Sequence, residues 1–487
     1  MVKKLNFMIP HDKKTIINFI LTITYAIFTF VVLIHHELWR DEVHVWLQIH
    51  NMSLPVLLKT LFTEGHPAFF YLIIYPFVKV GLSIFAVQLL CWLSMTFAVF
   101  ILLTFSPFYL ITNILIVLSS GMLYFFPIIA RSYSFIPPLI FCAAAFYTKS
   151  KKHPISYALI VCCIANTHII MFGFASCLFL QFIYENFIKT KGKHNIRLKI
   201  ALVIMLISIL TVSINIFGAV FFNPIYEISH HSFKEIINTL YYFFVNMYNN
   251  YTLDLVACEV PLNLLSFTKL LIIAITITYL LIILKKLSLI NFLIAVLAIS
   301  SQIIIYIASY PTILPQRVFC FHLIIIFCLW TSFLKNDIQN LTKEIYYKKA
   351  ANIFISILFI IAIPTGLDFI NKDIKGNFSS AKEMATAIKQ LIPNTDDNIV
   401  FTSNPVYSLA VIYYLNDRNV IFNEKPVKYS IPEAQPYIDL PKYTREHKNV
   451  FLILTQKENK EAKKFKVIYV TKPSIVRWEM FCLVRIL

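Results

Sequence analysis

A chain of 487 residues that is 58% hydrophobic and only 14% charged is not a soluble globular protein, which carries nearer a quarter charged residues. Its mean hydropathy of +0.72 and its apolar runs, several close to the ~20 residues that span a bilayer as a helix, identify a polytopic helical membrane protein. The formal charge of +18 does not argue for nucleic acid, because much of it lies in short loops between apolar runs, as the positive-inside rule expects.

In chain order, Lys3, Lys4, Lys13 and Lys14 precede the first apolar run, residues 15–34. The run is too long for a removed signal peptide and lacks a small-residue cleavage site, so it reads as an uncleaved first span. Its basic flank places the N-terminus inside and the next loop, 36–66, outside. Basic inner loops follow at 149–153, 189–199, 285–286 and 335–349, which puts Arg131, His168, the 223–262 loop and Arg317 at the outer face. About eleven crossings result. Three apolar runs (67–82, 84–105 and 107–127) lie between two outer points, so parity requires one of them to be partial or re-entrant. The first is the shortest before a charge, Lys79, and contains Pro76.

Beyond residue 367 the composition turns polar. A helix is predicted over 381–391 after Ser379-Ser380, and another over 406–415. Strands are predicted at 398–402 and 450–454, with a terminal pair at 465–470 and 478–486. Residues 368–487 therefore form a small extracytoplasmic α/β domain, suited to binding the acceptor or shielding a cavity, attached to a transmembrane module of residues 1–367. Seven cysteines (Cys91, Cys142, Cys162, Cys163, Cys177, Cys320 and Cys328) lie in apolar runs as packing residues, while Cys258 and Cys482 fall in exterior segments where a disulfide is conceivable.

The chemistry centres on the first outer loop. Trp39-Arg40-Asp41-Glu42 places two adjacent carboxylates just outside the bilayer, where one can take a proton from a sugar hydroxyl. Residues 53–62 suit a helix lying along the membrane surface, which brings Glu64-Gly65-His66-Pro67 back to the bilayer edge to open the next span. Taken alone, an Asp-Glu pair in a loop is unremarkable, His66 is a helix-end residue, and Arg131 and Arg317 equally suit lipid-headgroup snorkelling. His168, between two apolar halves, reads alone as a satisfied structural histidine.

Together these segments resemble the GT-C class of polyprenyl-phosphate-sugar-dependent glycosyltransferases, in particular the Rgt-like enzymes, the aminoarabinose transferases and the protein O-mannosyltransferases. The resemblance rests on the outer-loop Asp-Glu, the surface helix and E-G-H-P. Ala130-Arg131-Ser132-Tyr133, Asn166-Thr167-His168 and Gln316-Arg317-Val318-Phe319 add to it, over about the first 340 residues. The chain departs from the pattern at Val318, where Tyr is usual, and at Ala68, where a second Pro is usual.

The resemblance implies a polytopic all-α bundle and a sugar donor on a polyprenyl phosphate. It also implies an acceptor hydroxyl on a glycolipid, cell-wall polymer or protein, and a place in the cell membrane. Asp41 is then the general base, Glu42 supports it or contacts the acceptor, and the sugar is transferred with inversion. Arg131 and Arg317 meet the leaving phosphate, and Glu64, His66, Tyr133 and His168 line the substrate site. No cofactor is firmly implied; a divalent metal at Glu64 and His66 is left open, with two ligands too few to assert one. The competing readings are a lipid-linked-saccharide transporter or flippase, and a polysaccharide polymerase or O-acyltransferase. Ionisable residues gathered at one face, with no internal repeat, favour an enzyme over a transporter.

Overall fold

The computed structural model describes residues 11–189, 195–222, 264–309, 315–334, 341–376, 378–416, 418–422, 425–426, 449–455, 465–476 and 479–486. The bundle opens with α1 (His11–Leu33), followed by α2 (Arg40–Asn51), α3 (Leu54–Glu64), α4 (Phe69–Lys79), α5 (Ile84–Phe105) and α6 (Leu110–Leu118). A π-helical turn, Gly121–Phe125, leads into α7 (Phe126–Ile128); α8 (Ile136–Phe146), α9 (Pro154–Thr167), α10 (Phe172–Ile183) and α11 (Ile196–Phe222) follow. The later helices are α12 (Leu264–Leu287), α13 (Leu289–Ser309), α14 (Pro315–Leu334), α15 (Leu341–Ile360) and α16 (Ile363–Ile374).

Among the described residues, seven helical stretches are long and apolar enough to cross a membrane. An eighth is counted if α6 and the Gly121–Ile128 segment, bent by 60°, form one broken span. Full-length apolar helices alone therefore do not reach the eleven expected crossings; α4 and α9 are apolar but short. The parity problem resolves at α4. Its 11 residues rise about 16 Å, roughly half a hydrocarbon core. If the bent pair is one broken span, it and α5 give the even number of crossings that the interval requires. Pro67 stands before α4, whose cap is Ala68, and not in its first turn. At the bend, Gly366 of α16 lies so close to Ser120 that a Cβ there would meet the Ser120 Cα at 2.9 Å.

α16 runs across the expected domain boundary at 367/368. Beyond it lie α17 (Ala381–Leu391), β1 (Asn398–Thr402), α18 (Leu409–Leu415), β2 (Val420–Phe422), β3 (Lys425–Pro426), β4 (Asn449–Thr455), β5 (Lys466–Val470) and β6 (Phe481–Arg485). They build one mixed sheet of order β3-β2-β1-β4-β6-β5, with β1 parallel to β2 and β4; the expected terminal strands, β5 and β6, pair antiparallel. β2 and β3 were not expected; at three and two residues they are too short for a periodicity signal. Ser380 is the N-cap of α17 but makes no side-chain capping bond; the residue before it, Ser379, accepts from Ala381 N–H through its Oγ at 3.1 Å. Cys482 is a buried free thiol on β6, and Cys258 lies outside the described residues, as do the 223–262 loop and part of the 189–199 loop.

The core divides in a way that positions α2. The largest buried cluster fills the bundle around Trp330, Phe141 and Phe327. A second joins Val43, Trp46 and Leu47 of α2 to α17, α18 and the sheet. A third joins Val45 and Ile49 of α2 to α3 and α4. Apolar side chains on two flanks thus wedge α2 between membrane module and C-terminal domain. The remaining face carries Asp41, His44 and Gln48, spaced i, i+3, i+7 as one helical stripe requires.

Candidate active site around Asp41

α2 begins at Arg40 because Trp39 is extended and Glu42, at the third helical position, reaches back to accept from Trp39 N–H at 3.3 Å. That is the reach-back half of a capping box. The other Glu42 oxygen accepts from Ala130 N–H at 2.7 Å. Glu42 is 2% exposed and faces away from Asp41. It ties the start of α2 to the residue that precedes Arg131. His36 Nε2 lies 3.1 Å from Glu42, His36 Nδ1 lies 2.7 Å from Asp373 Oδ2, and Tyr124 OH donates to the same Asp373 oxygen at 2.9 Å. With a carboxylate at each ring nitrogen, His36 donates from both and is an imidazolium. Burial lowers its pKa, but Asp373 and Glu42 outweigh that and raise it to about 10.

Asp41 stays in contact with solvent, its side chain 24% exposed. Arg131 Nη1 donates to the Asp41 main-chain carbonyl at 2.6 Å, Arg131 Nη2 lies 4.0 Å from Asp41 Oδ2, and Arg40 Nε lies 3.3 Å from Oδ1. Burial pushes the Asp41 carboxyl up. Arg131, Arg40, His44 and Arg317 outweigh it and hold the pKa below the usual value. Arg317, in the first turn of α14, donates from Nε to Tyr133 OH at 3.0 Å. The Tyr133 ring packs against His168 at 4.5 Å between centroids. His168 Nδ1 accepts from Ile170 N–H at 3.2 Å, which leaves its proton on Nε2.

Gly65, at φ +69°, ends α3 in the left-handed conformation and turns the chain so that Glu64 and His66 face the same polar region. Glu64 is the last residue of α3. Its Oε1 accepts from Gln48 Nε2 at 2.9 Å, and burial raises its pKa against Gln48 and Arg131. Burial, Arg131, His44 and Arg317 depress His66 to about 3, and burial and Arg131 depress His44 to about 4, so both imidazoles are neutral at physiological pH. His44 Nδ1 and Glu64 Oε2 are buried and make no hydrogen bond to the protein. The fold thus brings Asp41, His66, Arg131, Tyr133, His168 and Arg317 together, with Glu64 reached through Gln48, although they come from five separate chain segments.

Five participants were not singled out in the sequence: His36, His44, Gln48, Tyr124 and Asp373. Of these only His44 and Gln48 carried a readable signal, their i+3 and i+7 spacing from Asp41. Among the described residues no group of three His, Cys, Asp or Glu side chains is arranged to hold a metal ion. Among the described residues, Glu64 and His66 have no third such ligand beside them.

No protein-family model matches the chain, and no curated protein matches it in sequence. Among solved structures, ArnT from Cupriavidus metallidurans in the apo state aligns over 96% of this chain and 97% of its own, with a TM-score of 0.54 at 10% identity. ArnT from the same organism bound to undecaprenyl phosphate aligns over the same shares at 11% identity, with a TM-score of 0.48. The chain has the fold of ArnT: a polytopic helical bundle with a small C-terminal domain.

Proposed function

We propose that this chain is an integral-membrane glycosyltransferase that moves a sugar from a polyprenyl-phosphate-linked donor to an acceptor hydroxyl, with inversion, at the outer face of the cell membrane. The observation that carries the reading is the convergence of a solvent-reachable carboxylate, Asp41, with two guanidiniums, Arg131 and Arg317, on a fold shared with ArnT. A general base and cationic partners for a leaving phosphate are what the reaction needs at one place.

Asp41 takes the proton of the acceptor hydroxyl as its oxygen attacks the anomeric carbon. The bond from that carbon to the phosphate oxygen breaks, and the lipid phosphate leaves with the bonding pair. Arg131 and Arg317 meet its charge, with Tyr133 orienting the Arg317 fork. His66 and His44, held neutral, offer hydrogen bonds to sugar hydroxyls without competing for the phosphate. Glu42 has a positioning role, since both its oxygens are engaged away from Asp41.

The test is sugar transfer from purified lipid donor to a membrane extract. Asp41→Asn keeps size and polarity but removes the base. The expected loss is ~10²–10⁴-fold in the chemical step, with donor binding largely kept. Near-normal turnover in the folded variant refutes the assignment.

A further inference from the structure

Three consecutive main-chain N–H groups lead into α2, and each donates to a side chain. Leu38 N–H donates to Tyr414 OH at 2.9 Å, Trp39 N–H to Glu42 Oε2 at 3.3 Å, and Arg40 N–H to Glu479 Oε1 at 2.7 Å. Two of the three acceptors belong to the C-terminal domain. Ser379, at the head of α17, donates from Oγ to the other Glu479 oxygen at 2.6 Å and so orients the carboxyl. Glu479 is fully buried. A fourth contact comes from the same domain: the Arg40 guanidinium lies 4.7 Å from the centre of the Tyr407 ring, while its Nε faces Asp41.

The first N–H groups of a helix have no partner within it, and a first turn without capping frays. Asp41 sits in that first turn. We propose that Glu479 is a positioning residue for the Asp41 chemistry, fastening the first turn of α2 from the C-terminal domain so that the carboxylate is held against Arg131. This rests on the assignment of Asp41 as base. It gives the domain a role in the chemical step, beyond the acceptor binding or shielding expected of it. Burial pushes the Glu479 carboxyl up to about 8, against the hydrogen bonds of Ser379 and Arg40 that pull it down. Glutamine keeps the side-chain oxygen that Arg40 N–H meets, and its amide can donate to the Ser379 hydroxyl in place of the second oxygen.

The experiment uses the full chain in detergent, with Glu479→Ala, Glu479→Gln and Ser379→Ala. Amide exchange is followed over the first turn of α2. Transfer kinetics use the lipid-linked sugar fraction extracted from cells deleted for this protein. Glu479→Ala should speed exchange at the start of α2 and lower kcat ~10–10²-fold, with donor KM changed less than about twofold. Glu479→Gln, which keeps an acceptor for Arg40 N–H, should stay within about threefold of the parent in kcat. Ser379→Ala should fall between them and keeps the test open if Glu479→Ala does not fold. Unchanged exchange over α2 in folded Glu479→Ala overturns the proposal, as does an equal kcat loss in the Ala and Gln variants. If the parent itself transfers no sugar, the glycosyltransferase reading fails, and the exchange result alone decides whether Glu479 fastens α2.

Discussion

Arg131 grips Asp41 at two points, the main-chain carbonyl at 2.6 Å and, at 4.0 Å, the side-chain carboxylate. One guanidinium thus sets both where the carboxylate stands and how readily it takes a proton. The first effect is positional and the second electrostatic, and they make separate predictions.

Because Arg131, Arg40, His44 and Arg317 together hold the Asp41 carboxyl below its usual value of 3.8, the base stays ionised until the pH falls below that value. Activity that depends on it is lost only as pH falls through the lowered pKa. Removing Arg131 takes away the largest of the lowering influences and leaves the burial that raises the pKa. The acid limb of kcat in Arg131→Ala should move upward, along with a fall in kcat and a rise in donor KM. Arg131→Lys keeps a charge but not the fork, and should restore the position of the limb better than it restores kcat. An acid limb unchanged in Arg131→Ala would falsify the electrostatic half of the argument.

Tyr133→Phe removes one oxygen and leaves the ring that stacks on His168. Arg317 then loses the acceptor that orients its Nε. A hydrogen bond to a charged group contributes about 1.5–3 kcal/mol, so donor KM should rise ~10-fold or more while kcat changes little. Equilibrium binding of a polyprenyl phosphate checks it directly. Binding as tight as the parent's would mean that Arg317 does not need Tyr133.

The His36 imidazolium between Glu42 and Asp373 predicts a stability effect with a defined sign. Its folded pKa, about 10, lies above the value of 6.5 expected when unfolded. Its stabilisation is therefore fully present below pH ~6.5 and fades as pH rises through about 10. The thermal midpoint in detergent should fall across that window in the parent, and fall less steeply in His36→Gln. His36→Ala, which leaves two buried carboxylates facing each other, should cost about 3–5 kcal/mol. A parent midpoint that is flat from pH 6.5 to 10 would remove the imidazolium from the account.

Much of this arrangement was legible in the sequence, for physical reasons that differ by residue. Asp41, His66, Arg131 and Arg317 stand at the ends of apolar runs, where an ionisable side chain is costly unless it has a partner. Their positions alone raise the question of what they meet. The α/β pattern beyond residue 380 was readable because β1, β4, β5 and β6 each carry at least five residues of strand-forming sequence. The second row of the site was not legible. His36 and Asp373 are separated by 337 residues, and Arg40 and Glu479 by 439. Each is a single polar residue with no periodicity to mark it. The shortness of α4 was half legible: Lys79 and Pro76 pointed to it, but its length of 11 residues came from the structure.

The bond from Arg40 to Glu479 also sets a clock on maturation. A ribosome adds about 5–20 residues per second, so Glu479 is made ~20–90 s after Arg40. Throughout that interval the membrane helices can insert and pack, yet the first turn of α2 lacks its distant fastening. Asp41 is thus fully fastened only after the sheet domain has folded against α2. In an unfinished chain already seated in the bilayer, the start of α2 lacks the acceptor that Glu479 gives Arg40 N–H.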